Sequence, residues 1–179
     1  MRRFIPLLFA AGCASSGTSV ENTTPKQAAI FSSAETGTLL TERPRAAVIS
    51  VAAPASNVWL AVKAVYAEMD IPLTVDNMAI HQLGNQNFFK SRALAGQPMT
   101  QFVDCGSGMT GPKATSYRIY ISLLTQVVGN ANGTTTVQTT FVPMGQDVSA
   151  GSSDRIPCGS TGRFEQLFLD RIKNTLGKP

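Results

Sequence analysis

The sequence predicts an α+β fold: a single antiparallel sheet of about five or six strands with two helices packed on one face. Three observations carry this reading. From Tyr117 to Val128 apolar and polar residues alternate, an Asn-Gly turn follows, and Thr134 to Val142 returns with Val137, Thr139 and Phe141 on one side. Two other stretches, Ala55 to Met69 and Phe164 to Leu176, repeat their apolar residues every three or four positions, which is the period of a helix. Between those helices the short β-branched segments run together. That order favours one antiparallel sheet with its helices gathered on one side.

The folded domain is expected over residues 46–179. Ala47-Val48-Ile49-Ser50-Val51-Ala52, bounded by Pro44 and Pro54, reads as the first strand. In the helix that follows, Val58, Val62, Val65, Tyr66 and Met69 share a face, which Trp59 and Leu60 broaden. Ser56 or Asn57 is placed to cap its start and Pro72 to end it. The lone tryptophan, at helical spacing beside valines, reads as core.

Next, Leu73-Thr74-Val75-Asp76 is expected to pair with a neighbour starting near Met78-Ala79-Ile80. Gly84-Asn85-Gln86-Asn87 has the composition of a turn, and Phe88 to Leu94 and Thr100 to Cys105 read as further strands. A glycine-dense loop, Gly106 to Pro112, precedes the hairpin, and a polar loop, Pro143 to Pro157, follows it. Gly159-Ser160-Thr161-Gly162 leads into the last helix, whose buried face holds Phe164, Leu167, Phe168, Ile172 and Leu176. Ser160 or Thr161 is placed to cap that helix. Gly177 and Pro179 stop it, with Arg171 and Lys173 near its negative end.

Residues 1–12 have a different logic. Arg2 and Arg3 precede a short apolar run, and small residues lead into Cys13, the layout of a secretory signal. Ala10-Ala11-Gly12-Cys13 resembles a bacterial lipobox, with Ala10 where a leucine is usual and Leu8 two residues further back. The resemblance implies that the Cys13 thiol takes a diacylglycerol and becomes the mature N-terminus. An ordinary cleaved signal and a short buried helix are the competing readings. In bacteria that sort lipoproteins by the residue after the cysteine, Ala14 resembles an outer-membrane signal.

Residues 13–45 would then form the lipidated cysteine and a flexible tether. Ser15-Ser16-Gly17-Thr18-Ser19 and Thr23-Thr24-Pro25 offer little apolar area to offset the entropy of ordering. A coil of this length would hold the domain about 30 Å from its anchor. Lys26 to Glu35 leaves two fates open, a short helix or docking on the domain. No run approaches the roughly 18 apolar residues of a membrane span, so attachment rests on the lipid. Without Arg2 and Arg3 the 15 basic residues fall to 13 against 11 acidic ones. That balance is too small and too scattered for a nucleic-acid surface.

Val58-Trp59-Leu60-Ala61-Val62 opening a helix ahead of Ile71-Pro72-Leu73-Thr74-Val75, together with a lipobox and a tether, is loosely similar to the BamC-type lipoprotein domain. That lipoprotein is attached to the outer-membrane β-barrel assembly machine. The similarity covers about 40 residues and implies a shared fold more than a shared function.

Two cysteines remain once Cys13 is set aside. Cys105 and Cys158 each open the phrase Cys-Gly-Ser, and in an oxidising envelope an even pair reads most simply as a disulfide. A redox thiol pair and a metal site compete with it. Redox pairs usually stand as Cys-x-x-Cys, and structural zinc takes four ligands, which a chain with one histidine, His81, does not readily supply.

No catalytic residue, metal or cofactor is expected. Any Ser-His-Asp arrangement would have to be built on His81, which has no nucleophile motif beside it. Glu68, Asp70, Asp76 and Asp104 sit at element ends, where turn-making acids are routine. Gly106-Ser107-Gly108-Met109-Thr110-Gly111 lacks the Lys-Ser/Thr and the helix that complete a phosphate loop. Two functions are therefore expected to compete. The first is a non-catalytic envelope lipoprotein that contacts other envelope proteins from the outer membrane, facing the periplasm. The second is a binder of small amphiphiles, with Phe88, Phe89, Phe102, Tyr117 and Tyr120 lining its pocket.

Overall fold

The computed structural model describes residues 46–151 and 153–177. The signal segment, Cys13 and the tether lie outside them. In chain order the elements are β1 (Ala47–Val51), α1 (Ala55–Glu68), β2 (Val75–Asn77) and β3 (Gln82–Ser91). Five two-residue strands follow: β4 (Ala93–Leu94), β5 (Gln97–Pro98), β6 (Val103–Asp104), β7 (Ser107–Gly108) and β8 (Gly111–Pro112). The chain closes with β9 (Arg118–Gly129), β10 (Thr135–Gln146), β11 (Arg155–Pro157), β12 (Gly159–Ser160) and α2 (Arg163–Leu176).

The sheet grows outward from its longest pair. β9 and β10 are antiparallel from Thr135 opposite Gly129 to Gln146 opposite Arg118. β3 adds to the other edge of β9, and β2 adds to β3, giving the order β1-β10-β9-β3-β2. On its far edge β10 is shared end to end: β1 takes Thr135 to Thr139, and β11 takes Met144 to Gln146. The class is the expected α+β, with one helix after the first strand and one at the C-terminal end.

Alternation decides which face is covered. Ile119, Ile121, Leu123 and Val127 of β9 and Val137 and Phe141 of β10 are buried on the same side. α1 packs over β9, α2 over β10 and β1, and the helices touch each other. Each fully buried side chain of this size contributes roughly 1.5–3 kcal/mol. Between α2 and the sheet runs an aromatic seam. Phe141 stacks on Phe164 at 4.7 Å, Phe102 meets Phe164 edge-on at 5.5 Å, and Tyr66 meets Phe168 edge-on at 5.0 Å. Trp59 is buried among these layers, as expected.

One polar thread crosses the core. The Tyr66 hydroxyl lies 3.2 Å from the Leu123 carbonyl oxygen and 3.1 Å from Thr125 Oγ1, which in turn lies 3.3 Å from Thr139 Oγ1. Burial pushes the Tyr66 phenol far above its usual range, against the opposing effect of the Thr125 hydrogen bond. A buried hydroxyl without partners would be costly, so these bonds fix the height of α1 over β9.

Several local expectations give way. Neither Ser56 nor Asn57 caps α1, because both already lie inside a helix that begins at Ala55, with Pro54 in the cap position and no side-chain cap bond. Leu60 does not broaden the buried face and is 65 % exposed. The helix also stops before Pro72. The Ile71 N–H reaches the Tyr66 carbonyl and the Asp70 N–H the Ala67 carbonyl, with Asp70 at φ 53° in the left-handed position. That is a Schellman closure with aspartate where glycine is usual.

Met78-Ala79-Ile80 is a 3-10 turn and not a strand. Asn77 Oδ1 accepts from the Ala79 N–H and His81 takes φ 54°, so this turn becomes the β2–β3 connection. Gly84-Asn85-Gln86-Asn87, which reads as a turn, lies inside β3. The register shifts there between Asn85 and Phe88, making a bulge. Asn85 holds the bulge, its Nδ2 donating to the Pro72 carbonyl at 2.7 Å and its Oδ1 accepting from the Asn87 N–H at 2.8 Å.

The strand expected over Thr100–Cys105 shrinks to β6, since Met99–Gln101 winds into a 3-10 turn after Pro98. The glycine-dense loop closes on itself as the β7–β8 pair. β10 runs past Pro143, and Arg155–Pro157 is a strand where a polar loop is expected. Pro143 is tolerated because its carbonyl accepts from the Cys158 N–H on the side away from β9. Alternation turns its nitrogen the same way, where no ladder donor is needed. At α2 the cap position is Gly162 in the left-handed region, with no side-chain cap bond. Ser160 and Thr161 stand just outside it, accepting from the Gly162 and Arg163 N–H groups.

Gly84 is where β3 comes closest to its neighbours. It has φ +150°, and a Cβ there would lie 2.2 Å from the Leu123 carbonyl oxygen and 3.0 Å from the Tyr66 hydroxyl. Gly84→Ala is therefore expected to cost on the order of 3 kcal/mol through forbidden backbone and steric overlap. Urea denaturation followed by tryptophan fluorescence would measure it, and a loss under about 1 kcal/mol would contradict this account.

Candidate functional site

Cys105 and Cys158 are joined in a disulfide with Cα atoms 4.4 Å apart. The local strands bring them together: Asp104 of β6 pairs with Gly159 of β12, and Ser160 with Val103. The bridge lies over β10 at Gly145, where a Cβ would sit 3.0 Å from Cys158 Sγ, 3.2 Å from Cys105 Sγ and 2.9 Å from the Tyr117 ring. A sequence separation of 53 makes this a long loop, worth about 4 kcal/mol in the chain-entropy picture.

Two residues beyond Cys158, Ser160 holds a carboxyl that no sequence motif marks. Glu165 is 1 % exposed in the first turn of α2. Its two oxygens lie 2.7 and 2.9 Å from Ser160 Oγ, whose single proton serves one of them at a time. The same Ser160 oxygen accepts from the Gly162 N–H. Burial raises the Glu165 carboxyl above its usual range, and hydrogen bonds from Ser160 and its own backbone oppose the shift.

The five aromatics expected to line an amphiphile pocket are divided between the two faces of the sheet, with Phe89 and Tyr120 meeting on the outer one. Phe88 and Phe89 are successive residues of one strand and so point to opposite faces. Phe88, opposite Ile121, is in the core, while Phe89, opposite Tyr120, is 56 % exposed. Phe102 is buried in the aromatic seam under α2. Tyr117 is half-buried beside the disulfide, and Tyr120 is on the outer face with Phe89.

Two clefts, of about 380 and 240 Å³, share Asp70 at their rims, and none of the five aromatics lines either. Their walls carry ion-paired charges: Lys63 with Asp76 at 2.6 Å, Lys90 with Asp70 at 2.6 Å, and Glu68 with Arg171. Hydrogen bonding and the charge of Lys90 hold the Asp70 carboxyl below its usual range. His81 is exposed at the end of a turn. Among the described residues no three histidine, cysteine, aspartate or glutamate side chains are placed to hold a metal.

The concentration of recognition chemistry is on the sheet face that the helices leave open. Two cross-strand rows meet there. Phe89, Tyr120, Met144 and Pro157 form one, and Ser91, Arg118, Gln146 and Arg155 form the next. The Arg155 guanidinium lies 3.5 Å from the centre of the Tyr120 ring, and the Arg118 guanidinium 5.0 Å from that of Phe89. The two rings are 5.9 Å apart. Tyr120 Oη donates to Gln146 Oε1 at 3.0 Å, and Arg155 Nη1 lies 3.4 Å from Asn87 Oδ1. Hydrogen bonding from Arg118, aided by the charges of Arg118 and Arg155, holds the Tyr120 phenol below its usual range against desolvation.

Sequence reasoning missed Arg118, Gln146 and Arg155 as a group. Arg118 and Tyr120 stand out as the polar side of the β9 alternation. Gln146 and Arg155, however, fall in a stretch that reads as loop, and only the pairing of β11 with β10 puts them in line. No known family model matches the chain, and no curated protein matches it either.

Two outcomes follow for the buried pair beside α2. Reduction of the disulfide, or Cys158→Ser, is expected to lower unfolding free energy by about 4 kcal/mol, read from urea midpoints with and without reductant. A shift under 1 kcal/mol would refute the staple. Glu165 has its folded pKa raised, so its contribution is fully present below the ordinary carboxyl range and is lost as pH rises through the folded value. Glu165→Gln should therefore gain on the parent as pH rises above that range. Parallel stability–pH curves for the two chains would overturn this.

Proposed function

We propose that the chain is a non-catalytic cell-envelope lipoprotein, anchored through Cys13 and docking other envelope proteins through the open face of its sheet. The observation that carries the reading is the composition of that face. Tyrosine, phenylalanine, methionine and arginine are clustered there, the residue types enriched where protein partners bind. Val48, Phe89 and Val128 lie exposed on the same side, while α1 and α2 cover the opposite one.

The lipobox-like Ala10-Ala11-Gly12-Cys13 supports an anchor, and Ala14 supports the outer membrane with the domain facing the periplasm. The likeness to the BamC-type lipoprotein supports an assembly-complex setting. The disulfide suits an oxidising compartment.

Intact mass spectrometry of the chain purified from bacterial membranes tests the anchor. The expected mass is that of Cys13 onward plus a diacylglycerol and an acyl chain. A mass that retains Met1 with free thiols would overturn the envelope reading.

A further inference from the structure

We propose that Arg118 and Arg155, stacked on Phe89 and Tyr120, form a carboxylate-recognising site through which the open face docks an acidic protein segment. This rests on the docking reading above and names the chemistry of the partner. The strands place the two arginines on β9 and β11, one on each side of β10, so their backbones stand about 10 Å apart. Tyr120 reaches between them. Its ring lies under Arg155, and its hydroxyl bonds Gln146, the residue that faces both arginines across the ladder.

Arg118 gives an N–H to the Tyr120 hydroxyl and Arg155 Nη1 lies on Asn87 Oδ1, which leaves each guanidinium further N–H groups of its five to meet the two oxygens of a carboxylate. Stacking also restricts each side chain before a partner arrives, which reduces the entropy lost on binding. The four ion pairs between described residues use neither Arg118 nor Arg155. The strand residues of the open face add no carboxylate to the site. Ser50, Ser122, Gln126, Thr136, Gln138 and Thr140 are uncharged, and the acidic neighbour Asp154 has interactions of its own.

A protein segment fits this surface better than an anionic membrane. Attraction to a lipid surface sums over clusters of about four to eight basic residues, each free to move in the headgroup layer. Here two arginines are held in fixed positions, with Met144 half-buried in the adjoining row and Val142 and Leu124 half-buried further along the same face. Apolar residues next to a forked cation suit a partner that brings a carboxylate and apolar side chains together.

The test uses the full chain in the cells that make it, with the photo-crosslinking residue p-benzoylphenylalanine in place of Ser122 on the open face. A second chain carries it in place of Lys173 on α2. Crosslinks from position 122, but not 173, are expected to map by peptide sequencing to a segment rich in aspartate and glutamate. R118Q/R155Q, with unchanged circular dichroism, should reduce them at least tenfold. If the double variant crosslinks equally, or the captured segment carries no acidic residues, the carboxylate site is overturned while the docking reading stands. If position 122 captures no protein in either chain, both fall. Vesicles of phosphatidylglycerol that bind the purified chain, and release it on R118Q/R155Q, would overturn the protein partner in favour of a lipid surface.

Discussion

The β9–β10 ladder is the constraint that the other elements depend on. Burial alternates along both strands until the last residues of β9, so one face is covered and the other left open. A slip of one residue would exchange the faces, which is why the register is strongly set. β1, β3 and β11 all take their positions from the two free edges of this pair. The helices then have a single apolar surface to cover, and Tyr66 locks α1 to it by bonding β9 directly.

That ladder also explains the disulfide. β10 continues past Pro143 and carries Gly145 under the point where β6 and β12 pair, and the missing side chain makes room for both sulfurs. The C-terminal helix is held from two sides as a result. Its aromatic face is held by the seam with Phe102 and Phe141, and its first turn by the covalent bridge through β12. Glu165 belongs to the same corner, where a charge would be costly and a serine hydroxyl partly compensates.

What was legible in the sequence follows how local the signal is. The hairpin could be read because period two, an Asn-Gly turn and β-branched residues all act within neighbouring positions. Helix α2 could be read for the same reason, through Phe164, Phe168 and Ile172. Gly84 to Asn87 misled because glycine and asparagine serve equally in a turn and in a bulge, and the choice is made by the Pro72 carbonyl twelve residues upstream of Gly84, which Asn85 satisfies. Met78 to Ile80 misled because apolar residues suggest a strand, while Asn77 binds the backbone two residues on and starts a turn. The Cys105–Cys158 pair was legible by count, since two cysteines remain once Cys13 is set aside. The Arg118–Arg155 pair was not, because it exists only through the three-strand row across β9, β10 and β11.

The two faces of the sheet therefore divide the work between them. The covered face meets the requirements of stability with aromatic packing, a buried hydroxyl thread and a staple. The open face carries what folding does not require. Two guanidiniums stacked on rings do little for stability at an exposed surface, where such contacts contribute about 0.5–1 kcal/mol each. In the docking site proposed above, their arrangement pre-sets the donors, so that binding would have less order left to impose. Flanked by residues that are half-buried and uncharged, these cations give the sheet a polarity along its length as well as across it. An acidic partner would meet them at the end where β11 joins, and the apolar remainder would decide how far along β9 and β10 that partner lies.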